Sequence, residues 1–317
     1  MVPQGGMVMR PRELGLDGVA LGDDRAPAQG PTASPVPPAS SSRTTPVSVI
    51  MCVYRGDRLD PLHDAVCSVL AQTHEDLVLR IYVDGSIAAD VRAYLEALAD
   101  ARVRLQFAEM NQGLAVGLNR LIDESLRDGC EVIARMDADD VCYPQRLEKQ
   151  LAFLDSHPEV DVIGAGCLEF DEDTGEEFLK LLPTDDRTLK RGLVKRTPFV
   201  HSTVVFRAQV FAGGTRYRSL ASEDMHLWMD LARYGWTFAN LPEPLMRYRV
   251  SDALFRRRSS WDKVSTELTA RLRGMTELCM ISPSNLACTG AYLALRLLPV
   301  RLARQAYRHL RPRRARA

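Results

Sequence analysis

The sequence predicts an α/β fold: a mostly parallel central sheet flanked by helices, with a C-terminal helical and basic extension. Two observations carry that prediction. Continuous apolar, β-branched runs such as VSVIMCVY from Val47 and VLRIYVDGS from Val78 alternate with segments whose apolar residues recur at helical spacing. Strands with almost no polar interruption are those covered on both faces, as in a parallel sheet whose crossovers are helices.

The elements follow in order. After the first run, the polar break RGDRLDP precedes DAVCSVLAQT, where Ala65, Val66, Val69 and Leu70 share a helix face. VLRIYVDGS is the second strand, DVRAYLEALADA a helix and VRLQFAE a third strand. A helix over 113–127 places Leu114, Leu118, Leu121, Ile122 and Leu126 on one side. CEVIARMDADD is the fourth strand and its end, PQRLEKQLAFLDSH a helix, and VDVIGAGCLEF a strand closed by an acidic turn over 171–177. HSTVVFR reads as a strand, SEDMHLWMDLARYG as a helix and FANLPEPLMRYRV as a closing extended segment.

Composition sets the outer limits. The 317 residues are 46% hydrophobic and 26% charged, with 41 basic and 41 acidic side chains, so whole-chain charge gives no reason to expect a nucleic-acid partner. Seven scattered cysteines without CxxC or Cys/His spacing argue against a disulfide framework and a zinc site, and suit a reducing compartment. No run has the length of a spanning helix, and no signal-peptide pattern opens the chain, so it is expected in the cytoplasm. Residues 1–45 are rich in Pro, Ala, Gly and Ser and read as a disordered leader. Residues 46–255 form the main domain, and 256–317 the extension. From Cys288 onward there is no acid, but eight arginines stand among Tyr292, Leu293, Leu297, Val300 and Leu302. That pattern suits a peripheral position on an anionic membrane face; a helix packed on the domain with a solvated arginine side is the other reading.

The chemistry concentrates in RMDADD, Arg135 to Asp140, at the carboxyl end of the fourth strand, where open α/β sheets bind ligands. Crowded carboxylates raise one another's pKa unless something balances them. Three readings fit: a polar turn favouring the next helix start, a DxDx[TV] phosphatase nucleophile at Asp137, or oxygen ligands for Mg²⁺ or Mn²⁺ against a diphosphate. No GxGxxG follows the first strand, so a dinucleotide-dependent oxidoreductase is poorly supported.

Motif order adds to this reading. VSVIMCVYRGD, SVLAQTHEDLVLRIYVDGS, NQGLAVGLN, RMDADD, SEDMHLWMDLARYG and FANLPEPLMRYR, in this order, resemble the family 2 glycosyltransferases, inverting enzymes of GT-A fold. The resemblance implies transfer of a sugar from a nucleoside diphosphate sugar to a polysaccharide or lipid-linked acceptor, in cell-surface glycan assembly, with a divalent metal. It implies Asp224 as the general base supported by Glu223, and Asp139 with Asp137 as metal contacts. It further implies Val53, Tyr54, Arg55, Asp84, Asn111, Gly113, Arg135, Asp137, Ala138 and Arg249 on the donor side, Asp84 meeting the nucleobase. His201 and Trp228 fall on the acceptor side, although Trp228 also reads as core. Here Val83 stands where the family has the first aspartate of DDGS, Arg55 where asparagine is common, and Ser251 where a histidine often follows. A non-catalytic nucleotide-sugar-binding or scaffold protein of the same fold is the rival.

Overall fold

The computed structural model describes residues 46–251, 260–296 and Leu302; the leader and most of the basic tail lie outside these residues. The first half alternates as expected: β1 (Val47–Tyr54), α1 (Leu59–Leu70), β2 (Leu77–Asp84), α2 (Ala89–Glu96), β3 (Val103–Phe107), α3 (Leu114–Arg127) and β4 (Val132–Asp137). β1 pairs in parallel with both β2 and β4, and β2 with β3. The second half comprises β5 (Val141–Cys142), α4 (Arg146–Ser156), β6 (Val162–Asp171), β7 (Glu177–Lys180), α5 (Asp186–Gly192), β8 (Val205–Arg207), α6 (Gln209–Ala212), α7 (Glu223–Arg233) and β9 (Phe238–Val250). Two helices follow, α8 (Trp261–Glu277) and α9 (Pro283–Arg296). One sheet runs β3-β2-β1-β4-β8-β6-β9-β5, with β7 on β6. β8 is antiparallel to both β4 and β6, while β9 lies parallel to β6 and antiparallel to β5.

Side-chain alternation puts two cores on the two faces. Val49, Met51 and Val53 of β1 join Leu62, Val66 and Val69 of α1 in one. Ile50 of β1 joins Leu118, Leu121 and Ile122 of α3, with Phe199, Phe206 and Trp228, in the other. This two-sided burial is what the uninterrupted apolar strands require. α3 approaches the sheet closely at Gly117, where an added Cβ would lie 2.6 Å from the Tyr82 ring and 2.8 Å from Cys52 Sγ.

Two local expectations differ. HSTVVFR is not one strand: His201–Thr203 form a 3-10 turn and only Val205–Arg207 pair. Thr203 explains the break, because its hydroxyl donates to the Val200 carbonyl at 2.8 Å while its Oγ1 accepts from the Ala165 amide at 3.0 Å. The acidic turn over 171–177 is real, and a further strand follows it, pairing Phe170 with Glu177 through Cys167 with Lys180. Among the described residues no helix is long and apolar enough to cross a membrane.

Candidate active site

The sheet register sets the first group of site residues side by side. Tyr54 pairs with Asp84 and Cys52 with Asp137, so the carboxyl ends of β1, β2 and β4 present Tyr54, Asp84 and Asp137 along one edge. The loop after β4 is braced from below by Gln72 and Thr73, which follow α1. Gln72 Nε2 donates to the Tyr143 carbonyl at 2.9 Å, its Oε1 accepts from the Leu147 amide at 3.0 Å, and the Thr73 amide donates to the Pro144 carbonyl at 2.9 Å. These bonds fix where the chain goes once it has passed the acid cluster.

Within the cluster, one carboxylate oxygen from each of Asp137, Asp139 and Asp140 lies within 4.8 Å of the others. Asp140 is buried, and its Oδ1 accepts the Arg249 amide at 2.9 Å. Burial first, then the neighbouring Asp139 and Asp137 charges, push its carboxyl well above the usual carboxylate range. Arg249 is tied to this loop twice, since its Nε also donates to the Asp139 carbonyl at 3.0 Å, while its guanidinium lies 4.8 Å from the Phe170 ring centre. Its Nη1 is 3.4 Å from Glu172.

Arg135 is the buried cation that the acid run requires. It is 2% exposed, pairs with Asp137, and its main chain is held by the Val204 carbonyl and by Arg146, whose Nη2 donates to the Arg135 carbonyl at 2.7 Å. Its charge also acts on Tyr217, Glu223, Asp224 and His201. The acid cluster and the Glu223-Asp224 pair therefore share one buried cation between them.

Glu223 and Asp224 open α7, and the environment drives them apart. Burial and the adjacent Asp224 charge push Glu223 up to about 7. Burial would raise Asp224 too, but Lys263 foremost, then the Met225 amide and Arg135, outweigh it and leave Asp224 below its ordinary value. Two neighbouring carboxyls with opposed shifts are a frequent sign of an acid–base site. Lys263 Nζ stands 3.6 Å from Asp224 Oδ1. Ser222, the residue before α7, makes no capping bond; its hydroxyl donates to the Lys263 carbonyl at 3.1 Å.

His201 Nε2 is 2.9 Å from the Tyr217 hydroxyl. Burial and the Arg135 charge hold His201 well below the usual imidazole range, so it is neutral at pH 7. Beneath it, Trp228 is wholly buried, with its ring centre 5.6 Å from that of His201 and 4.9 Å from that of Phe199. Trp228 offers no face to an acceptor, so its place in the site is corrected to a floor under His201.

Asp84 is corrected as well. It is buried, and its carboxylate accepts from the Gln112 amide at 2.7 Å, the Gly113 amide at 2.9 Å and Asn111 Nδ2 at 2.9 Å. This carboxylate anchors the loop entering α3 instead of facing outward as a ligand for a base. Gly113 has φ 91°, a left-handed value that suits glycine there. Asn111 is exposed but its amide is spent on Asp84. Val53 is buried in the core and Ala138 is nearly so, leaving only their main chains to face a ligand. Tyr54 and Arg55 are exposed, and the Tyr54 amide donates to Asp57 Oδ2 at 2.8 Å.

Sequence reasoning missed Asp140 as a member of the cluster on equal terms with its neighbours, and it missed Tyr217 and Lys263. Asp140 was in plain view within the acid run. Nothing local marks Tyr217 or Lys263, which reach the site only through packing.

Residues 48–216 match the family described as Glycosyl transferase family 2. The amylovoran biosynthesis glycosyltransferase AmsE of Erwinia amylovora is 33% identical over 224 residues, 70% of this chain and 82% of the relative. The UDP-Gal:alpha-D-GlcNAc-diphosphoundecaprenol beta-1,3-galactosyltransferase of Escherichia coli is 25% identical over 234 residues, 73% of this chain and 84% of that protein. Among solved structures, the mannosyltransferase PcManGT of Pyrobaculum calidifontis, in complex with GDP-Man and Mn²⁺, superposes with a TM-score of 0.51 at 16% identity, covering 86% of this chain and 88% of its own.

Proposed function

The chain belongs to glycosyltransferase family 2, and from that premise we propose that it transfers one sugar, with inversion, from a nucleoside diphosphate sugar to a polysaccharide or lipid-linked acceptor in cell-surface glycan assembly. The observation that carries this reading is the pairing of two carboxylate groups about one buried cation. Arg135 pairs with Asp137 of the Asp137-Asp139-Asp140 cluster, and the same charge acts on Glu223 and Asp224.

Each side suits one end of the reaction. In an inverting transfer the acceptor oxygen attacks the anomeric carbon, the bond from that carbon to the diphosphate oxygen breaks, and the nucleoside diphosphate leaves with the electron pair. Asp224 accepts the proton of the attacking hydroxyl, since it is the carboxyl held ionised. Glu223, pushed up to about 7 by burial and by the Asp224 charge, holds its proton more readily than Asp224 and so eases the crowding of charge beside it. Arg135 and Arg249 hold the acid loop in shape.

The cluster fits a divalent cation. Its three carboxylates converge, and Asp140, raised first by burial, is raised further by the Asp139 and Asp137 charges that a cation would offset. Asp137, Asp139 and Asp140 would hold Mn²⁺ or Mg²⁺, which when bound supplies charge neutralisation for the departing diphosphate. PcManGT with GDP-Man and Mn²⁺ supports this assignment. The name of the Escherichia coli galactosyltransferase supports a lipid-linked acceptor. An acceptor of that kind suits a protein peripheral to the inner membrane face through the arginine-rich sequence after Cys288.

The test measures nucleotide release from UDP-glucose, UDP-galactose, UDP-N-acetylglucosamine and GDP-mannose with Mn²⁺ or Mg²⁺. Turnover of at least one donor, lost in Asp139→Ala and on chelation, supports the reading. Asp224→Asn should bind that donor with unchanged affinity and lose turnover. Absence of both binding and turnover across the panel would defeat it.

A further inference from the structure

The family match ends at residue 216, yet the carboxylate assigned as base has its charge partner far beyond that limit. α8 begins at Trp261, and its first turn is fastened to the first turn of α7 by side-chain and main-chain bonds. Ser260 Oγ caps α8 by accepting the Lys263 amide at 3.3 Å. Ser222, the residue before the Glu223-Asp224 pair, donates its hydroxyl to the Lys263 carbonyl at 3.1 Å. Thr266 Oγ1 donates to Ser222 Oγ at 3.0 Å. Further along, Arg273 of α8 pairs with Asp230 of α7 at 2.7 Å, and Met229 of α7 packs where a side chain at Gly274 would sit, its Sδ 2.3 Å from an added Cβ. Ser222 thus joins the main chain at Lys263 to the main chain at Asp224 through a short, hydrogen-bonded path.

The outcome is an ammonium 3.6 Å from Asp224 Oδ1, with both side chains largely covered: 22% exposed for Lys263 and 20% for Asp224. At that separation the pair is a charge contact and not a hydrogen bond, and Asp224 Oδ1 makes no hydrogen bond to any described residue. Oδ1 is itself covered, so the lysine steadies the negative charge from the covered oxygen and leaves the exposed part of the carboxylate to the acceptor. We propose that Lys263 is a positioning residue for the transfer reaction, brought by α8 to keep the Asp224 carboxylate ionised and turned towards the acceptor hydroxyl. This rests on the assignment of Asp224 as the base.

Every charged or titratable group known to face Asp224 bears on its titration. Lys263 comes from α8 and Arg135 from β4, each lowering it; His201, from the 3-10 turn, faces it as a neutral imidazole; Glu223 precedes it on α7, and Tyr217 stands near with its phenol pushed up by burial. Lys263 is the only cation of this set borne on the C-terminal helices, and it comes first among the groups opposing the burial of Asp224. Lys263→Met keeps the length of the side chain and removes its charge. Lys263→Arg keeps the charge.

The experiment uses the full chain in two readouts. In the first, carboxyl carbons of ¹³C-aspartate-labelled protein are titrated by NMR, the Asp224 signal being the one lost in Asp224→Asn. Lys263→Met should raise the Asp224 midpoint by at least one pH unit, a tenfold change in proton affinity, and Lys263→Arg should restore most of the difference. In the second, nucleotide release from the donor that the wild type turns over is followed from pH 5 to 9. The acid limb of kcat should move upward in Lys263→Met by the same interval, with donor KM changed less than twofold. An unmoved midpoint and acid limb in Lys263→Met, with the wild type active, would overturn the lysine's role and leave the transferase reading intact. A wild type that turns over no donor defeats the transferase reading and the catalytic part of this proposal together, and the NMR titration then reports only on the ion pair.

Discussion

Replacing Asp84 separates two roles that the same residue could serve. If its carboxylate anchors the loop before α3, the substitution Asp84→Ala removes acceptors for the Gln112 and Gly113 amides and for Asn111 Nδ2. Hydrogen bonds to a charged group contribute about 1.5–3 kcal/mol each. Asn111 is exposed and regains water, so its bond counts for little. The two main-chain bonds, taken at the low end because water also reaches that loop, give a loss of about 3 kcal/mol. For a body of this size that corresponds to a fall in Tm of about 6–12 °C. Asp84→Asn should fare scarcely better, because an amide turns an NH₂ towards one of the two main-chain donors. The assay is thermal unfolding by circular dichroism, paired with isothermal titration of UDP and GDP. A Tm within 1 °C of wild type together with nucleotide binding weakened more than tenfold would refute the anchoring argument and return Asp84 to contact with the base.

Four further outcomes are expected. The folded-state value of Glu223, about 7, lies above its ordinary value, so its contribution to stability is fully present below about pH 4.5 and is lost as pH rises through 7. Glu223→Gln should therefore gain stability relative to wild type between pH 5 and 8, by up to about 3 kcal/mol, read from urea unfolding at each pH. Asp140→Asn should equal or exceed the wild-type Tm in chelator, since it relieves a buried carboxyl crowded by Asp137 and Asp139, but should lose most of the Tm rise that millimolar Mn²⁺ gives the wild type. Arg135→Met should cost about 3–5 kcal/mol, as breaking a buried pair does, and part of that loss should be recovered by Mn²⁺ in differential scanning fluorimetry. Gly117→Ala should cost about 1–3 kcal/mol by overpacking, because the new methyl meets Tyr82 and Cys52 at under 3 Å.

The site could be read from the sequence to the extent that its chemistry is local. Apolar runs ending in polar residues located β1, β2 and β4, and parallel pairing then brings Tyr54, Asp84 and Asp137 together through register alone. The crowding of RMDADD in the sequence adds, after burial, to the rise of Asp140 in the fold. What stayed hidden depends on contacts between distant segments. Asp84 looks like a turn aspartate exposed to a ligand until α3 is docked and its first amides are seen to fill that carboxylate. Trp228 has the spacing of either a core or a binding residue, and only the closure of Phe199 and Phe206 around it decides for core. Ser222 has the right type for a helix cap, but α8 supplies a carbonyl for its hydroxyl.

Arg135 shows why the acid run can exist before any ligand arrives. Burying a guanidinium is costly unless anions surround it, and an acid cluster is costly unless a cation does. Placing Arg135 under the end of β4, in contact with Asp137 and within the field of Glu223 and Asp224, lets one buried charge offset both. The compensation is shared: Arg249 binds Asp140 and the Asp139 carbonyl, the buried Arg146 acts on Asp140, and Lys263 acts on Glu223 and Asp224. Burial first, and then the neighbouring carboxylates, raise Asp140 and Glu223, while Lys263 foremost lowers Asp224. A divalent cation bound by the aspartates would complete the neutralisation on one side only, so chelation should perturb Asp140 strongly and leave the Lys263-Asp224 pair nearly unchanged. Carboxyl NMR with and without Mg²⁺, a diamagnetic ion, resolves the two: equal shifts at Asp140 and Asp224 would mean that the acids titrate as one pool and that Arg135 does not divide them.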